Sequence, residues 1–264
     1  MNKIVASPEQ AVADIPDGST IAIAGFGVAH RFATALICAL RDQGTKDLTL
    51  VCNSLGDAGA TRGQILAENN QVKKLMAAFS VRPGTPTASE EQIAAGTMDV
   101  ELVPQGILVE RCRAGGAGIP AFYSPTGVHT DLATGREIRD FDGKPYVLEY
   151  AIHVDYALLR GYRADRLGNV QFRGGSQNFN PSFAKAARVA IVEVDEIVEA
   201  GGGTMDDVVK LTVFVTDVRY REPYGEVRSE FFGPNPPAST LVQIANLALP
   251  GALIEIEAVA AMEA

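Results

Sequence analysis

Tryptophan is absent from the 264 residues, and histidine and cysteine occur three times each. Cys38, Cys52 and Cys112 are odd in number, widely separated and without CxxC spacing. Neither a disulfide framework nor a zinc site is indicated, and all three fit as small buried apolar residues. No apolar run approaches the roughly 20 residues of a bilayer-spanning helix. The opening MNKIVASPEQ lacks the apolar core of a secretory signal, so a cytoplasmic protein is expected. Positive charge is in deficit, with 23 Lys and Arg against 32 Asp and Glu for a net charge of −9. That balance argues against a nucleic-acid or anionic-lipid surface as partner. An anionic ligand would have to be held locally, by helix N-termini, glycine-rich backbone nests or individual arginines. With 47% hydrophobic and 21% charged residues the chain reads as globular rather than disordered, as one large α/β domain or two smaller ones.

What is present is an alternation of strand and helix patterns. STIAIAG (19–25) reads as a strand, followed by helical spacing of Phe32, Leu36, Ile37 and Leu40. DLTLVCN (47–53), VKKLMAAF (72–79) and DVELVP (99–104) are further strands, with a helix over SEEQIAAG (89–96). Such alternation predicts an open, mainly parallel sheet with helices on both faces. Asp142-Gly143 inside EIRDFDGKPYVLEY (137–150) predicts a hairpin. YALLRGYRA (156–164) is expected to pair with NVQFRG (169–174), and a short helix at 181–187 to lead into the strand RVAIVEV (188–194). Beyond Gly201-Gly202-Gly203 the texture changes to strand (207–218), helix (220–232) and two strands (239–247, 252–262). The expected division is therefore 1–200 and 201–264, the second a small α+β segment.

Two glycine clusters are candidate ligand sites. Ala24-Gly25-Phe26-Gly27 follows a strand and precedes a helix, where backbone N–H groups can face a ligand; a tight turn needing unusual φ and ψ explains the same glycines. Gly115, Gly116 and Gly118, with Pro120 and Pro125 after them, read as a rigid loop, which a plain structural crossover also explains. The two loops are expected to converge at one edge of the sheet. Gln105, at a strand end, needs a hydrogen-bond partner if buried, and a ligand carbonyl is one candidate.

PQG at 104–106, ERCRAGGAGIPAFYSPTGV at 110–128, FDGKPYVLEYAI at 141–152, ADRLGNVQFRGGSQNFNPS at 164–182 and VAIVEVDEIVEAG at 189–201 together resemble the A (alpha) subunit of family I CoA-transferases acting on 3-oxoacids. The resemblance implies an open α/β domain with no permanently bound cofactor and a CoA thioester as substrate. It implies acyl exchange through a glutamyl-CoA thioester whose glutamate lies on a separate B subunit, hence a hetero-oligomer. No Ser-Glu-Asn-Gly motif for that nucleophile occurs here. By position, Gln105 matches the glutamine that helps hold the substrate carbonyl. Ala24, Gly25, Phe26, Gly27, Val28, Ala29 and His30 match the segment assigned to CoA binding, to which Gly115, Gly116 and Gly118 are added as candidates. The family's first motif is usually Gly-Gly-Phe-Gly followed by Gly-x-Pro. Ala24 and the run Ala29-His30-Arg31-Phe32 depart from it, as does the absence of a Gly-Leu-Gly run in 56–84, and this bears on the substrate.

Residues 205–261 instead resemble the C-terminal half of the reactive-intermediate (enamine/imine) deaminase family. Glu255 matches its site glutamate and Ser239 stands where an arginine usually clamps the substrate carboxylate. A gene fusion, a frameshift or recombination product, or an engineered hybrid would each give such a chain. The leading reading is a CoA-transferase subunit taking an acyl-CoA and a small carboxylic acid. The alternatives are a catalytically silent binding or assembly module and an imine-deaminase-related protein.

Overall fold

The computed structural model describes residues 2–26, 31–56, 62–80, 84, 86–198, 208–232, 235–247 and 252–260. Contacts divide the chain into two compact units, Met1–Ile197 and Val198–Ala264. The first runs α1 (Pro8–Val12), β1 (Thr20–Ile23), α2 (Thr34–Gln43), β2 (Leu48–Cys52), α3 (Gln64–Glu68), β3 (Val72–Ala77), α4 (Ala88–Ala94), β4 (Asp99–Leu102) and α5 (Gln105–Gly116). It continues with β5 (Ala121–Ser124), β6 (Ile138–Phe141), β7 (Lys144–Tyr150), β8 (Val154–Arg160), β9 (Arg163–Asp165), β10 (Val170–Gln171), α6 (Asn180–Ala186), β11 (Ala187–Glu193) and β12 (Glu196–Val198).

Six strands form one sheet in the order β11-β8-β1-β2-β3-β4, every pair parallel. Because side chains alternate along a strand, each strand serves two cores. Ile21, Ile23, Leu50, Cys52 and Leu75 pack with Leu36, Ile37 and Leu40 of α2. On the other face Ala22, Val51, Met76, Ala157 and Leu159 pack with Leu108 and Cys112 of α5 and Phe183 of α6. Cys52 and Cys112 thus sit in the core as expected, and burial pushes both thiols up to about 12; Cys38 is only half-buried. Asp142 and Gly143 take φ of 49° and 75° and join Phe141 to Lys144 in the expected hairpin, within a three-stranded sheet β5-β7-β6.

Two expectations need correction. Tyr156–Arg160 do not pair with 169–174. They belong to β8 in the centre of the large sheet, and only Arg163–Asp165 and Val170–Gln171 form the antiparallel pair. The cluster at 115–118 is not a loop. Gly115 and Gly116 close α5, and Gly118, with φ of 72°, ends it in a Schellman turn where Ile119 N–H reaches the Ala114 carbonyl at 2.9 Å. The first two are glycine for packing: a Cβ at Gly115 would overlap the Ile152 carbonyl oxygen, and one at Gly116 would lie 2.6 Å from Lys185 Cβ. Gly115→Ala is therefore expected to destabilise by about 2–3 kcal/mol in urea denaturation, the scale of forced overpacking. Gly106→Ala, with open space around it, is expected to be neutral or slightly stabilising. Equal effects at the two sites would refute the packing account.

The second unit comprises β13 (Val208–Val215), α7 (Arg221–Phe232), β14 (Ala238–Gln243) and β15 (Ile254–Ala260). Its sheet has the order β14-β13-β15, with β13 parallel to β14 and antiparallel to β15. Leu211, Val213 and Val215 pack with Tyr220, Tyr224 and Phe232 as the alternating pattern implies. Val209 does not join them, because a register shift between Val208 and Lys210 turns it out. Ile254, Ile256 and Val227 remain exposed as well.

Candidate active site

Strand order reverses at β1: the chain moves from β1 outward through β2, β3 and β4, and later returns to its other side with β8. Ligands of open α/β sheets bind outside the carboxyl ends of the strands at such a point. Ala24 and Gly25 leave β1 there. Ala24 is fully buried, and its N–H donates to the Leu158 carbonyl at 3.0 Å. Gly25 has φ of 149°, and a Cβ on it would lie 2.5 Å from the Phe32 ring, so both backbone and space demand glycine. Phe26 is 39% exposed and stacks on Phe179, with centroids 6.2 Å apart. Gly27, Val28, Ala29 and His30 lie outside the described residues.

The helix N-terminus after this loop is already occupied. Glu193, at the carboxyl end of β11, accepts from Ala35 N–H at 2.8 Å and Leu36 N–H at 3.3 Å, the first turn of α2. Its other oxygen pairs with Arg160; Arg160 also pairs with Asp195, and Asp195 with Arg31 at 3.3 Å. The partial positive charge of α2 is thus neutralised from within.

Gln105 is the first residue of α5, after Pro104 at the N-cap, and follows the carboxyl end of β4. It is exposed rather than buried, and its partner is Asn53: Gln105 Nε2 donates to Asn53 Oδ1 at 2.6 Å. Asn53 follows β2, is 6% exposed and was given no role by the sequence. Gln105 Nε2 carries a second N–H, so an exposed carboxamide held by a buried one at this sheet edge has a donor with which to stabilise a developing oxyanion. Ser54, next in the chain, has a buried hydroxyl without a hydrogen-bond partner among the described residues.

The two glycine clusters do not converge. Gly115 packs against Ile152, just before β8 begins, whereas Gly25 follows the end of the parallel strand β1. α5 runs back across the sheet, so its first residue stands at the carboxyl edge and its last at the amino edge. Among the described residues no cluster of three or more His, Cys, Asp or Glu could hold a metal, and no helix is long and apolar enough to cross a membrane. In the second unit, Ser239 lies opposite Leu211 and Glu255 opposite Phe214. The odd spacing of those partners puts Ser239 and Glu255 on opposite faces of the sheet.

The A (alpha) subunit of succinyl-CoA:3-ketoacid coenzyme A transferase from Xanthomonas campestris pv. campestris is 47% identical over 194 residues, covering 74% of this chain and 78% of that protein. The Helicobacter pylori (strain J99) protein of the same name is 41% identical over 224 residues, covering 85% and 94%. The crystal structure of glutaconate coenzyme A-transferase from Acidaminococcus fermentans shares the fold, with a TM-score of 0.63 at 21% identity over 74% of this chain and 68% of that one. The coenzyme A transferase family model matches residues 5–220, and with these relatives it shows that the chain belongs to the coenzyme A transferase family.

Proposed function

We propose that the chain is the A subunit of a CoA-transferase that moves CoA between an acyl-CoA and a carboxylic acid of the 3-oxo class, completed by a B subunit. The observation that carries this reading is the Gln105–Asn53 amide pair at the open carboxyl edge. In such a transfer a carboxylate oxygen of the B-subunit glutamate attacks the thioester carbonyl. The C–S bond breaks and the CoA sulfur leaves as thiolate, so the acyl group is held on the glutamate as a mixed anhydride. The thiolate then attacks the glutamyl carbonyl of that anhydride, the acyl group departs as its free carboxylate, and the glutamyl-CoA thioester remains. Each addition places negative charge on the former carbonyl oxygen, and the second N–H of Gln105 Nε2, held in place by Asn53, is a donor suited to meet it. Ala24, Gly25 and Phe26 form the wall against which the thioester lies. The CoA thioester acts as substrate, and no permanently bound cofactor enters the scheme. The same reading makes the protein cytoplasmic and its tail a partial imine-deaminase-like segment. The separation of Ser239 and Glu255 leaves that tail without a paired acid and clamp on one face.

Co-expression with a B subunit bearing the Ser-Glu-Asn-Gly motif, followed by a screen of succinyl-CoA against 3-oxo acids, tests the proposal. Transfer by the pair and none by either chain alone is the expected result. A stable complex that transfers nothing over a broad panel of acyl-CoA and acid pairs would favour the silent assembly module.

A further inference from the structure

We propose that the small sheet β9-β10-β12 carries an anion subsite, built by Arg163 and Arg173 around the ring of Tyr162, that takes phosphate groups of the substrate. The guanidinium carbon of Arg163 lies 4.8 Å from the Tyr162 centroid and that of Arg173 5.4 Å, so a single ring positions two cations. Glu196 braces this arrangement: its Oε1 accepts from the Tyr162 hydroxyl at 3.1 Å, and its Oε2 lies 2.7 Å from Arg163 Nε. The second contact is an ion pair. Arg173 is anchored through its backbone, whose N–H donates to Ser176 Oγ at 3.0 Å and whose carbonyl accepts from the same hydroxyl at 2.6 Å. Its guanidinium has the Tyr162 ring but no carboxylate partner among the described residues.

Two guanidiniums held on one ring repel each other, and the carboxylate beside them pairs with one of them only. A bound anion would relieve what remains. An arginine fork matches phosphate oxygens two at a time, and a side chain already fixed on a ring loses little freedom when it binds. Position supports the same conclusion. Tyr162 N–H donates to the Gln171 carbonyl and Gly161 N–H to that of Glu193, so the ring continues directly from the carboxyl end of β8, beside β1. Six residues after Arg173, Phe179 stacks on Phe26, which ties this sheet to the glycine loop. In a chain of net charge −9, an unpaired arginine fixed at that edge supplies the local attraction a polyanionic substrate needs. The identity of the ligand rests on the CoA-thioester reading, whereas its charge rests on the two arginines alone.

The test is titration calorimetry of the full chain with inorganic pyrophosphate, CoA and phosphate-free pantetheine, repeated on Arg173→Ala and Arg173→Lys, with thermal melts to check folding. Arg173→Ala is expected to weaken pyrophosphate and CoA binding about 10-fold, the usual worth of one charge-assisted contact. Arg173→Lys should retain part of the affinity, and pantetheine should bind all three proteins alike. Pyrophosphate that binds wild type and Arg173→Ala equally, or does not bind wild type, overturns the subsite. Loss of pyrophosphate affinity in Arg173→Ala, together with a complex of the wild type with its B subunit that does not bind CoA, upholds the subsite and overturns the CoA reading.

Discussion

Replacing Gln105 by alanine in the complex with a B subunit is expected to lower kcat/KM about 100-fold, the scale for losing one oxyanion donor. The effect should fall on kcat, because the amide is asked to act on charge that develops only as the thioester carbonyl is attacked. Asn53→Ala should cost a similar factor, since Asn53 Oδ1 holds the Gln105 carboxamide in place at 2.6 Å. As the two amides form one unit, the double variant should lose much less than the product of the two factors. Unchanged turnover in Gln105→Ala with intact folding would remove the residue from the chemistry, and fully additive losses would mean that the two amides act separately.

Arg111→Ala is expected to cost about 3 kcal/mol or more of folding free energy at pH 7, the scale for removing one partner of a buried ion pair. Arg111 is 8% exposed and lies on α5. Its Nη1 meets Glu101 of β4 at 2.7 Å, and its Nε donates to the Tyr150 carbonyl of β7 at 2.7 Å. Glu149, 3% exposed, pairs with Arg136 at 2.7 Å and lies 3.9 Å from Arg111. The variant would leave two partly to fully buried carboxylates with fewer cations, Glu101 with Lys74 at 3.3 Å and Glu149 with Arg136, and the Tyr150 carbonyl without its donor. Burial pushes the Glu101 carboxyl up, but the hydrogen bond and charge of Arg111, with Lys74 behind them, outweigh it and hold it below its ordinary value. A carboxyl depressed by folding stabilises the native state above the ordinary carboxylate range, and that stabilisation is lost as pH falls through the folded value. The gap between wild type and Arg111→Ala in urea melts should therefore narrow on acidification. A gap that stays constant from pH 7 to pH 3 would show that the loss is one of packing alone.

Strand and helix periodicity placed β2, β3 and the Asp142-Gly143 hairpin because each is written in neighbouring residues. The helix capping box at Thr87 and Glu90, with Thr87 N–H on Glu90 Oε2 at 2.6 Å, belongs to the same local class. The run from Tyr156 to Arg160 was misplaced because the strands it pairs with, β1 and β11, lie far away in sequence. Gly115 and Gly116 misled for a different reason. Glycine in a turn and glycine under a crossing backbone look identical until the Ile152 carbonyl and Lys185 are seen beside them. At the candidate site, Gln105 could be singled out from its place in a motif, but its lock to Asn53 spans 52 positions, and Glu193 reaches Ala35 across 158. No local pattern encodes such pairings. Asn53 did stand at the end of an expected strand, which was the one available hint.

The position of β8 also orders the events of synthesis. β1 to β4 are consecutive neighbours and can pair as they emerge, a short-range set of contacts of the kind that forms early. The other edge of β1 must wait for Tyr156, Ala157 and Leu158 to pair with Ile21, Ala22 and Ile23. At ribosomal speeds of 5–20 residues per second that delay is roughly 7–27 s. Throughout it an apolar strand keeps one edge unpaired, the arrangement most open to strand exchange with another nascent chain. Slowing elongation between β4 and β8 should therefore raise aggregation of this chain. The crevice beside β1, which carries the proposed chemistry, comes into being only after β8 has been made, and β11 then closes the sheet beyond it.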